Sequence, residues 1–168
     1  MKIHARTERL LLRDWSLDDV DAYAAIIGDP EVMRYIGNGQ PRDRGQAEDF
    51  VRTMMRHQAE RGWMRFAVEE ASSGALLGFS GFDDKNGPLD FGWRLGRAFW
   101  GGGFGYEASA AALWVGQNTF GLTQITAQSY PENAGSVRIM EKMGMSLPAE
   151  SGKKIKWWIR LRKSSPCQ

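Results

Sequence analysis

The chain has 168 residues, of which 42% are hydrophobic and 25% are charged, as in an ordinary globular protein. This length suffices for one domain with a real core and is short for two, so we expect a single domain over residues 1–168. The net charge of +2 at pH 7 gives no case for general nucleic-acid binding.

The single cysteine and the hydropathy pattern indicate where the protein works. Cys167 has no second cysteine with which to form an internal disulfide, which is typical of a reducing compartment. The first residues lack the apolar region of a secretory signal, and no apolar run has the length of a membrane span. We therefore expect a cytoplasmic protein with no membrane or nucleic-acid partner, and a homodimer is left open.

The N-terminal third predicts one strand and two helices. Arg9–Arg13 is a short, largely apolar run that is typical of a buried strand. Ser16 is a favourable helix N-cap, and the apolar residues after it recur at helical spacing until Gly28 and Pro30 end the helix. The same spacing predicts a second helix from about Gln46 to Glu60.

The rest of the chain predicts mainly strands, with a long helix among them. The predicted strands are Arg65–Glu69, Ala75–Phe82, Leu89–Leu95, Gln124–Ser129 and Lys154–Leu161, and the predicted helices are Ala108–Phe120 and a shorter one after Tyr130. Asn86 and Gly87 predict a hairpin turn. The last strand alternates basic and apolar residues, which is typical of a sheet edge. Because a helical crossover joins Leu89–Leu95 to Gln124–Ser129, these strands must be parallel, in an α+β domain with a mixed sheet.

The most informative stretch is residues 99–107, F-W-G-G-G-F-G-Y-E, between the strand Leu89–Leu95 and the helix Ala108–Phe120. Glycine adopts positive φ freely and has no Cβ, so an anion can approach the backbone at the positive end of the helix. The pattern therefore predicts a phosphate or pyrophosphate site. The alternative is a turn that only lets the strand and the helix pack closely.

Two nucleotide-binding motifs can be compared with this stretch. Gly103, Gly105 and Ala108 fit the dinucleotide fingerprint G-x-G-x-x-A, but Gln124–Tyr130 does not contain the acidic residue expected about twenty positions later. An NAD-type binder is therefore disfavoured. No G-K-[ST] follows the glycines, which excludes an ATP-binding P-loop.

A second motif strengthens the phosphate interpretation. Residues 130–144 have the sequence Y-P-E-N-A-G-S-V-R-I-M-E-K-M-G, and together with the preceding glycine stretch they resemble the GNAT N-acetyltransferase superfamily. T-E-R-L-L-L-R-D-W at residues 7–15 and D-P-E-V-M-R-Y at residues 29–35 are similar to its ribosomal-protein N-terminal acetyltransferase-like branch. The resemblance runs from about residue 7 to residue 161, which is the expected core of the domain. It implies a mostly antiparallel central sheet with helices on both faces and a splayed pair of parallel strands.

The resemblance also implies that acetyl-CoA is the acyl donor. The glycine stretch would hold its pyrophosphate, and the strand before that stretch would hold the pantetheine arm. The residues assigned in these two segments are Trp93, Arg94, Leu95, Trp100, Gly101, Gly102, Gly103, Phe104, Gly105 and Tyr106. Gly102 stands where relatives carry Lys or Arg, and Tyr106 stands where Thr or Ser is common, so two contacts to phosphate differ from the family pattern.

The second motif would carry the chemistry of the leaving group. Many family members have a tyrosine where this chain has Met140, which cannot donate a proton. The resembled branch uses a serine, which implies that Ser136 donates to the leaving thiolate and that Asn133 holds pantetheine. Both residue types are also favoured at a helix start. Arg138 and Lys142 share a helix face and would either meet the adenosine phosphate or form a solvated surface.

The attacking amine must also lose a proton. Asp90 matches a position where relatives often carry Glu, and Glu150 is the other carboxylate expected near the thioester. An exposed carboxylate is more often only solvated. Alternatively, no dedicated base is needed, because preorganisation and water suffice. The sequence contains no cluster of Cys and His, so no metal site is predicted.

We therefore expect transfer of an acetyl group from acetyl-CoA to a primary amine, by direct attack in a ternary complex. The rival interpretation is a non-catalytic CoA-binding module. The sequence does not name the acceptor, which is expected to be a small molecule or a peptide N-terminal amine.

Overall fold

The structure is a computed structural model that describes residues 1–84, 89–146 and 155–160. These residues form one seven-stranded sheet whose strands lie in chain order. The strands are β1 (Ile3–Arg6), β2 (Leu10–Arg13), β3 (Arg65–Glu70), β4 (Leu76–Asp83), β5 (Asp90–Leu95), β6 (Gln124–Ser129) and β7 (Ile155–Arg160). Each neighbouring pair is antiparallel except β5 and β6, which are parallel. The expected mixed, mostly antiparallel sheet is confirmed.

Helices cover both faces of this sheet. The α-helices of the described residues are α1 (Val20–Ile27), α2 (Pro30–Met33), α3 (Arg44–Arg61), α4 (Phe104–Asn118) and α5 (Ala134–Lys142). Side chains alternate along β4, so Phe79 and Phe82 point to opposite faces. The Phe79 ring stacks on Phe50 of α3 with 5.4 Å between their centroids, whereas Phe82 packs against Gly116 of α4.

The parallel pair is held together at one end only. In the described residues its ladder has one register pair, Asp90 with Thr126, and the Thr126 N–H donates to the Leu89 carbonyl at 2.8 Å. From there towards Leu95 and Ser129 the two strands diverge. The predicted splayed pair is therefore confirmed, and it opens a gap at the carboxyl end of β5.

Capping explains why α3 begins two residues before the predicted start. Asp43 accepts a hydrogen bond from the Gln46 N–H at 2.9 Å, and the Gln46 side chain accepts one from the Asp43 N–H at 3.0 Å. This reciprocal capping box stabilises a helix that starts at Arg44. Gly62, predicted to stop the helix, is its C-cap in the left-handed conformation.

The region of the first helix departs from the prediction at both ends. Ser16 does act as an N-cap, but of a short 3-10 turn, Leu17–Asp19, which precedes α1. Pro30 was expected only to end a helix, whereas it begins α2. The reason is that proline suits the first helical position, and the Asp29 carboxylate caps this short helix by accepting from the Glu31 N–H at 2.9 Å.

The sequence pattern does not predict β1. Its four residues, I-H-A-R, are too few and too polar to stand out as a strand. Tertiary contacts stabilise it instead, because it pairs with β2 and places the His4 ring 4.7 Å from the Phe66 ring. The His4 Nε2 atom also lies 2.7 Å from the Asp14 carboxylate.

The last predicted strand is confirmed as β7, which lies at the edge of the sheet beside β6. The two end residues of the predicted strand, Lys154 and Leu161, lie outside the described residues. The predicted turn at Asn86 and Gly87 also lies outside them.

We expect Gly78→Ala to lower the free energy of unfolding by about 3 kcal/mol or more. Gly78 of β4 has φ of +144°, and a Cβ there would lie 1.9 Å from the Arg94 carbonyl oxygen of β5. Urea unfolding measures the loss. Gly74→Ala is the control, because Gly74 has φ of +74° with no atom within 4 Å of an added Cβ. Equal losses in the two variants would show that the close approach of β4 and β5 does not constrain the sheet.

Candidate active site

A cavity of about 670 Å³ lies where β5 and β6 diverge. This volume is typical of small-molecule and cofactor sites. Its walls come from β5, the start of α4, the start of α5 and residues 31–36 in and after α2. Except for Gly102, every residue predicted to hold acetyl-CoA lines it, namely Trp93, Arg94, Leu95, Trp100, Gly101, Gly103, Phe104, Gly105, Tyr106, Asn133, Ser136, Arg138 and Lys142.

The glycine stretch forms a tight turn that starts α4 earlier than predicted. The helix begins at Phe104 rather than Ala108, so residues 104–107 are its first turn and not part of a loop. Gly101 and Gly103 have φ of 78° and 82°, in the left-handed region that glycine adopts without strain. Gly103 is the N-cap, and this conformation turns the chain directly into the helix.

The start of α4 has no side-chain cap among the described residues, and the glycine turn before it is open at Gly101. Within the described residues no side chain caps the helix at Gly103, and a Cβ on Gly101 would meet no atom within 4 Å. Unpaired N–H groups at the positive end of a helix bind anions, so these residues fit the pyrophosphate of acetyl-CoA. Gly105 instead fits the alternative that a glycine only allows close packing, because a Cβ there would lie 2.8 Å from Ile139 of α5.

The turn is fixed from behind by the hairpin of β1 and β2. Glu107 accepts hydrogen bonds from the Thr7 hydroxyl at 2.5 Å, the Arg9 N–H at 3.2 Å and the Arg9 Nε at 2.7 Å. Arg9 also donates to the Gly102 carbonyl at 2.9 Å and lies 4.1 Å from the centre of the Phe104 ring. Burial alone would raise the pKa of Glu107, but the hydrogen bonds from Thr7 and Arg9 outweigh it and hold that pKa below its ordinary value.

Sequence reasoning assigned no role to these supporting residues, although a signal for them was present. Thr7 and Arg9 belong to T-E-R-L-L-L-R-D-W, and Glu107 closes the glycine motif. The wall formed by residues 31–36 was also missed, and it overlaps D-P-E-V-M-R-Y. Both motifs contribute to the family resemblance, but the sequence alone does not give their residues a physical role.

The structure shows which of Asn133 and Ser136 caps the start of α5. Asn133 is the N-cap, and its side-chain oxygen accepts from the Ser136 N–H at 3.3 Å. Ser136 does not cap the helix, and its hydroxyl has no hydrogen-bond partner among the described residues. That hydroxyl lies in the cavity wall, whereas Met140 is 1% exposed and packs in the core.

Cations and aromatic rings line the outer part of the cavity wall. Arg138 and Lys142 of α5 are both exposed, and the Lys142 ammonium lies 5.4 Å from the centre of the Tyr106 ring. Trp100 is 51% exposed, while its indole N–H donates to the Leu95 carbonyl at 2.9 Å. This bond fixes the plane of the Trp100 ring beside the glycine turn.

Neither predicted base, Asp90 or Glu150, is among the described residues that line this cavity. Asp90 is not among its lining residues and accepts a hydrogen bond from Arg65 at 2.8 Å. Glu150 lies outside the described residues.

Within the part of the chain that the structure describes, no group of three or more His, Cys, Asp or Glu is placed to hold a metal ion. In the same part of the chain, no helix is long and apolar enough to cross a membrane.

Comparison with known proteins identifies the family. Residues 9–146 match the family model described as acetyltransferase (GNAT) domain. The chain belongs to the GNAT acetyltransferase family. The uncharacterized N-acetyltransferase p20 of Bacillus licheniformis is 32% identical over 140 residues, which cover 82% of this chain and 79% of the relative.

Solved structures show the same fold. A GNAT-family acetyltransferase from Bacillus anthracis superposes with a TM-score of 0.79 at 27% identity, over 95% of this chain and 98% of the other. The acetyltransferase yncA of Salmonella typhimurium, solved with acetyl-CoA, has a TM-score of 0.72 at 15% identity, over 95% and 98% of the two chains. A ribosomal-protein-S5-alanine acetyltransferase of Vibrio fischeri has a TM-score of 0.79 at 14% identity, over 96% and 98%. The predicted superfamily is confirmed, and its neighbours in fold include ribosomal-protein acetyltransferases.

We expect Gly101→Ala to weaken the binding of acetyl-CoA by about tenfold or more, because the added methyl group blocks the approach of phosphate to the turn. A hydrogen bond to a charged group contributes about 1.5–3 kcal/mol, which corresponds to this range. Isothermal titration with acetyl-CoA measures the change.

Gly74→Ala is again the matched control, because Gly74 and Gly101 have φ of 74° and 78° and both have open space around an added Cβ. The two variants therefore share the backbone cost of about 1–2 kcal/mol and differ only in location. Unchanged acetyl-CoA affinity in a folded Gly101→Ala protein would show that the turn does not hold phosphate.

Proposed function

We propose that this protein transfers an acetyl group from acetyl-CoA to a primary amine, which attacks the thioester directly in a ternary complex. The observation that carries the proposal is the convergence of three groups on one cavity: the uncapped start of α4, the edge of β5 that faces away from β4, and the Ser136 hydroxyl. Acetyl transfer needs an anion site, a carbonyl-polarising donor and a leaving-group donor.

Acetyl-CoA supplies the activated acyl group when it is bound, and the residues of this chain position it. The N–H groups of the first turn of α4 hold the pyrophosphate, and Arg138 and Lys142 add positive charge from the facing helix. The backbone at Trp93, Arg94 and Leu95 holds the pantetheine arm along β5. Asn133 keeps the start of α5 in place through its capping bond.

Two donors act on the charges that develop during transfer. A backbone N–H near Trp93 donates to the acyl oxygen, where a preorganised donor is most effective. The Ser136 hydroxyl donates to the leaving sulfur. Its hydroxyl proton is available for this purpose because no described protein group accepts it.

The proton of the amine leaves by a less direct route. Asp90 is held by Arg65 and lies outside the cavity lining, so it takes up a proton through a water or not at all. A bound, correctly oriented amine that is partly deprotonated in solution needs only water as the acceptor. Glu150 remains a predicted alternative.

A non-catalytic CoA-binding module is the second candidate. It is favoured by the buried Met140 at the family's tyrosine position and by the ion pair that occupies Asp90.

The decisive experiment is CoA release measured with a thiol reagent, using acetyl-CoA and a panel of amines. The panel contains amino acids, polyamines, a drug amine and a peptide with a free N-terminus. We expect CoA release with at least one class of amine, together with acetyl-CoA binding by isothermal titration. Binding without release for any amine would favour the module, and micromolar binding of NADH without acetyl-CoA would overturn both.

We expect Ser136→Ala to lower kcat by about tenfold to a few hundredfold, with little change in acetyl-CoA affinity or melting temperature. The reason is that the hydroxyl acts on the developing charge and does not cap α5. Asn133→Ala is the comparison, because loss of the true cap costs about 0.5–2 kcal/mol of stability. A Ser136→Ala enzyme with unchanged single-turnover rate would remove this residue from the mechanism.

A further inference from the structure

Two arginines lie together on the face of the sheet that α1 and α3 cover. Arg65 comes from β3 and Arg94 from β5, and each guanidinium carbon lies 5.2 Å from the centre of the same Phe79 ring. The Arg65 guanidinium packs over Gly92 of β5, where a Cβ would lie 3.7 Å from it in ordinary van der Waals contact. We call Arg65 and Arg94 the arginine pair.

The arginine pair carries more positive charge than its surroundings neutralise. Arg65 donates to the Asp90 carboxylate at 2.8 Å, which is the ion pair that the arginine pair makes among the described residues. Arg94 donates to the Tyr23 hydroxyl at 2.9 Å, which is a neutral group. The Nε atoms of Arg65 and Arg94 are buried, and neither has a hydrogen-bond partner in the described part of the chain.

The pKa shifts of Arg94 and Tyr23 agree with this excess of positive charge. Burial lowers the pKa of Arg94, and the nearby cations Arg65 and Arg42 lower it further. Burial raises the pKa of Tyr23 in spite of those arginines, so the hydroxyl stays protonated and gives no negative charge. A buried guanidinium without an anion is costly, and an anionic ligand removes that cost.

Arg94 connects the arginine pair to the active-site cavity. Arg94 is one of the residues that line the cavity and is partly exposed, whereas Arg65 is not among the lining residues. The acids that line the cavity are Glu31 and Glu132, which are exposed and lie outside the sheet. An amine that approaches the acyl group at the edge of β5 therefore has Arg94 as its neighbouring charge from the sheet.

We propose that the acceptor of this enzyme is a small amine that also carries a carboxylate, and that Arg94 binds this carboxylate while the buried Tyr23 hydroxyl and Arg65 hold Arg94 in place. The inference rests on the proposed acetyl transfer and specifies its substrate class.

The charge count favours a carboxylate over other anions. Asp90 already balances Arg65, so within the arginine pair the charge of Arg94 is left for the ligand. A carboxylate carries a single negative charge and two oxygens that match the guanidinium fork. A phosphate monoester brings about 1.5 to 2 negative charges at pH 7, which is more than the charge of Arg94 alone. A peptide N-terminus has an amide where an amino acid has its carboxylate, so a free amino acid fits better.

The test compares each acceptor with a partner that lacks only the negative charge. CoA release is measured with glycine, alanine, methionine, phenylalanine and glutamate, and with the carboxamide of each. Phosphoethanolamine and ethanolamine form the phosphate pair. We expect the best amino acid to exceed its carboxamide by about tenfold to a hundredfold in kcat/KM, mainly through KM, since one charged hydrogen-bonded contact is lost.

Variants connect this preference to the residues. Arg94→Met should bring the ratio of acid to carboxamide close to one, and Tyr23→Phe should reduce it by about two- to tenfold, as expected for one neutral hydrogen bond. Arg52→Gln, an exposed arginine on α3, is the control and should keep the wild-type ratio. The ratio is insensitive to donor affinity, because both acceptors are measured with the same enzyme and donor.

Failure of this proposal is distinct from failure of the proposed function. If no amine releases CoA, the acetyl transfer itself is wrong. If amines are acetylated but carboxamides, peptides or phosphoethanolamine equal or exceed the amino acids in the wild-type enzyme, the carboxylate site is overturned. This comparison needs no variant, so it stands even if Arg94→Met does not fold. An unchanged ratio in a folded Arg94→Met enzyme would likewise overturn the role of Arg94.

Discussion

The cavity exists because β5 and β6 separate after a single register pair. Parallel neighbours normally continue their hydrogen bonds along the whole ladder, but here the contact at Asp90 and Thr126 is followed by a gap. β4 keeps β5 in place on the other side, over the full length from Asp83 to Gly78. The Gly96 N–H then donates to the Leu77 carbonyl at 2.8 Å, which fixes the chain as it leaves the strand. β5 is thus rigid although one of its edges is left for a ligand.

In the proposed reaction, this arrangement would let one strand serve two substrates. Side chains alternate along β5, so Trp93 and Leu95 face α4, whereas Arg94 faces α1 and α3. An acyl donor laid along the free edge and an amine held on the arginine face would meet at the same backbone atoms. The distance between the two reactants would then be fixed by one strand, which positions groups more precisely than two loops do.

Local sequence patterns predicted those elements that depend on residues close together in the chain. The order of β5, α4 and β6 followed from periodicity and the crossover rule, and the glycine turn from the conformational freedom of its residues. The arginine pair was not predictable, because Arg65 and Arg94 meet only through the register of β3, β4 and β5. Asn133 and Ser136 could not be told apart, since both residue types cap helices and only the structure shows which oxygen accepts.

The contacts of Glu107 tie the phosphate turn to the completion of folding. Thr7 and Arg9 are separated from Glu107 by about a hundred positions in the chain, so the turn is supported only after the first hairpin has docked on α4. Closing so long a loop costs entropy that only the assembled sheet offsets. Intermediates that lack this docking would have little affinity for CoA compounds. With the proposed binding of CoA compounds to this turn, these compounds would select the fully folded chain by mass action and stabilise the native state.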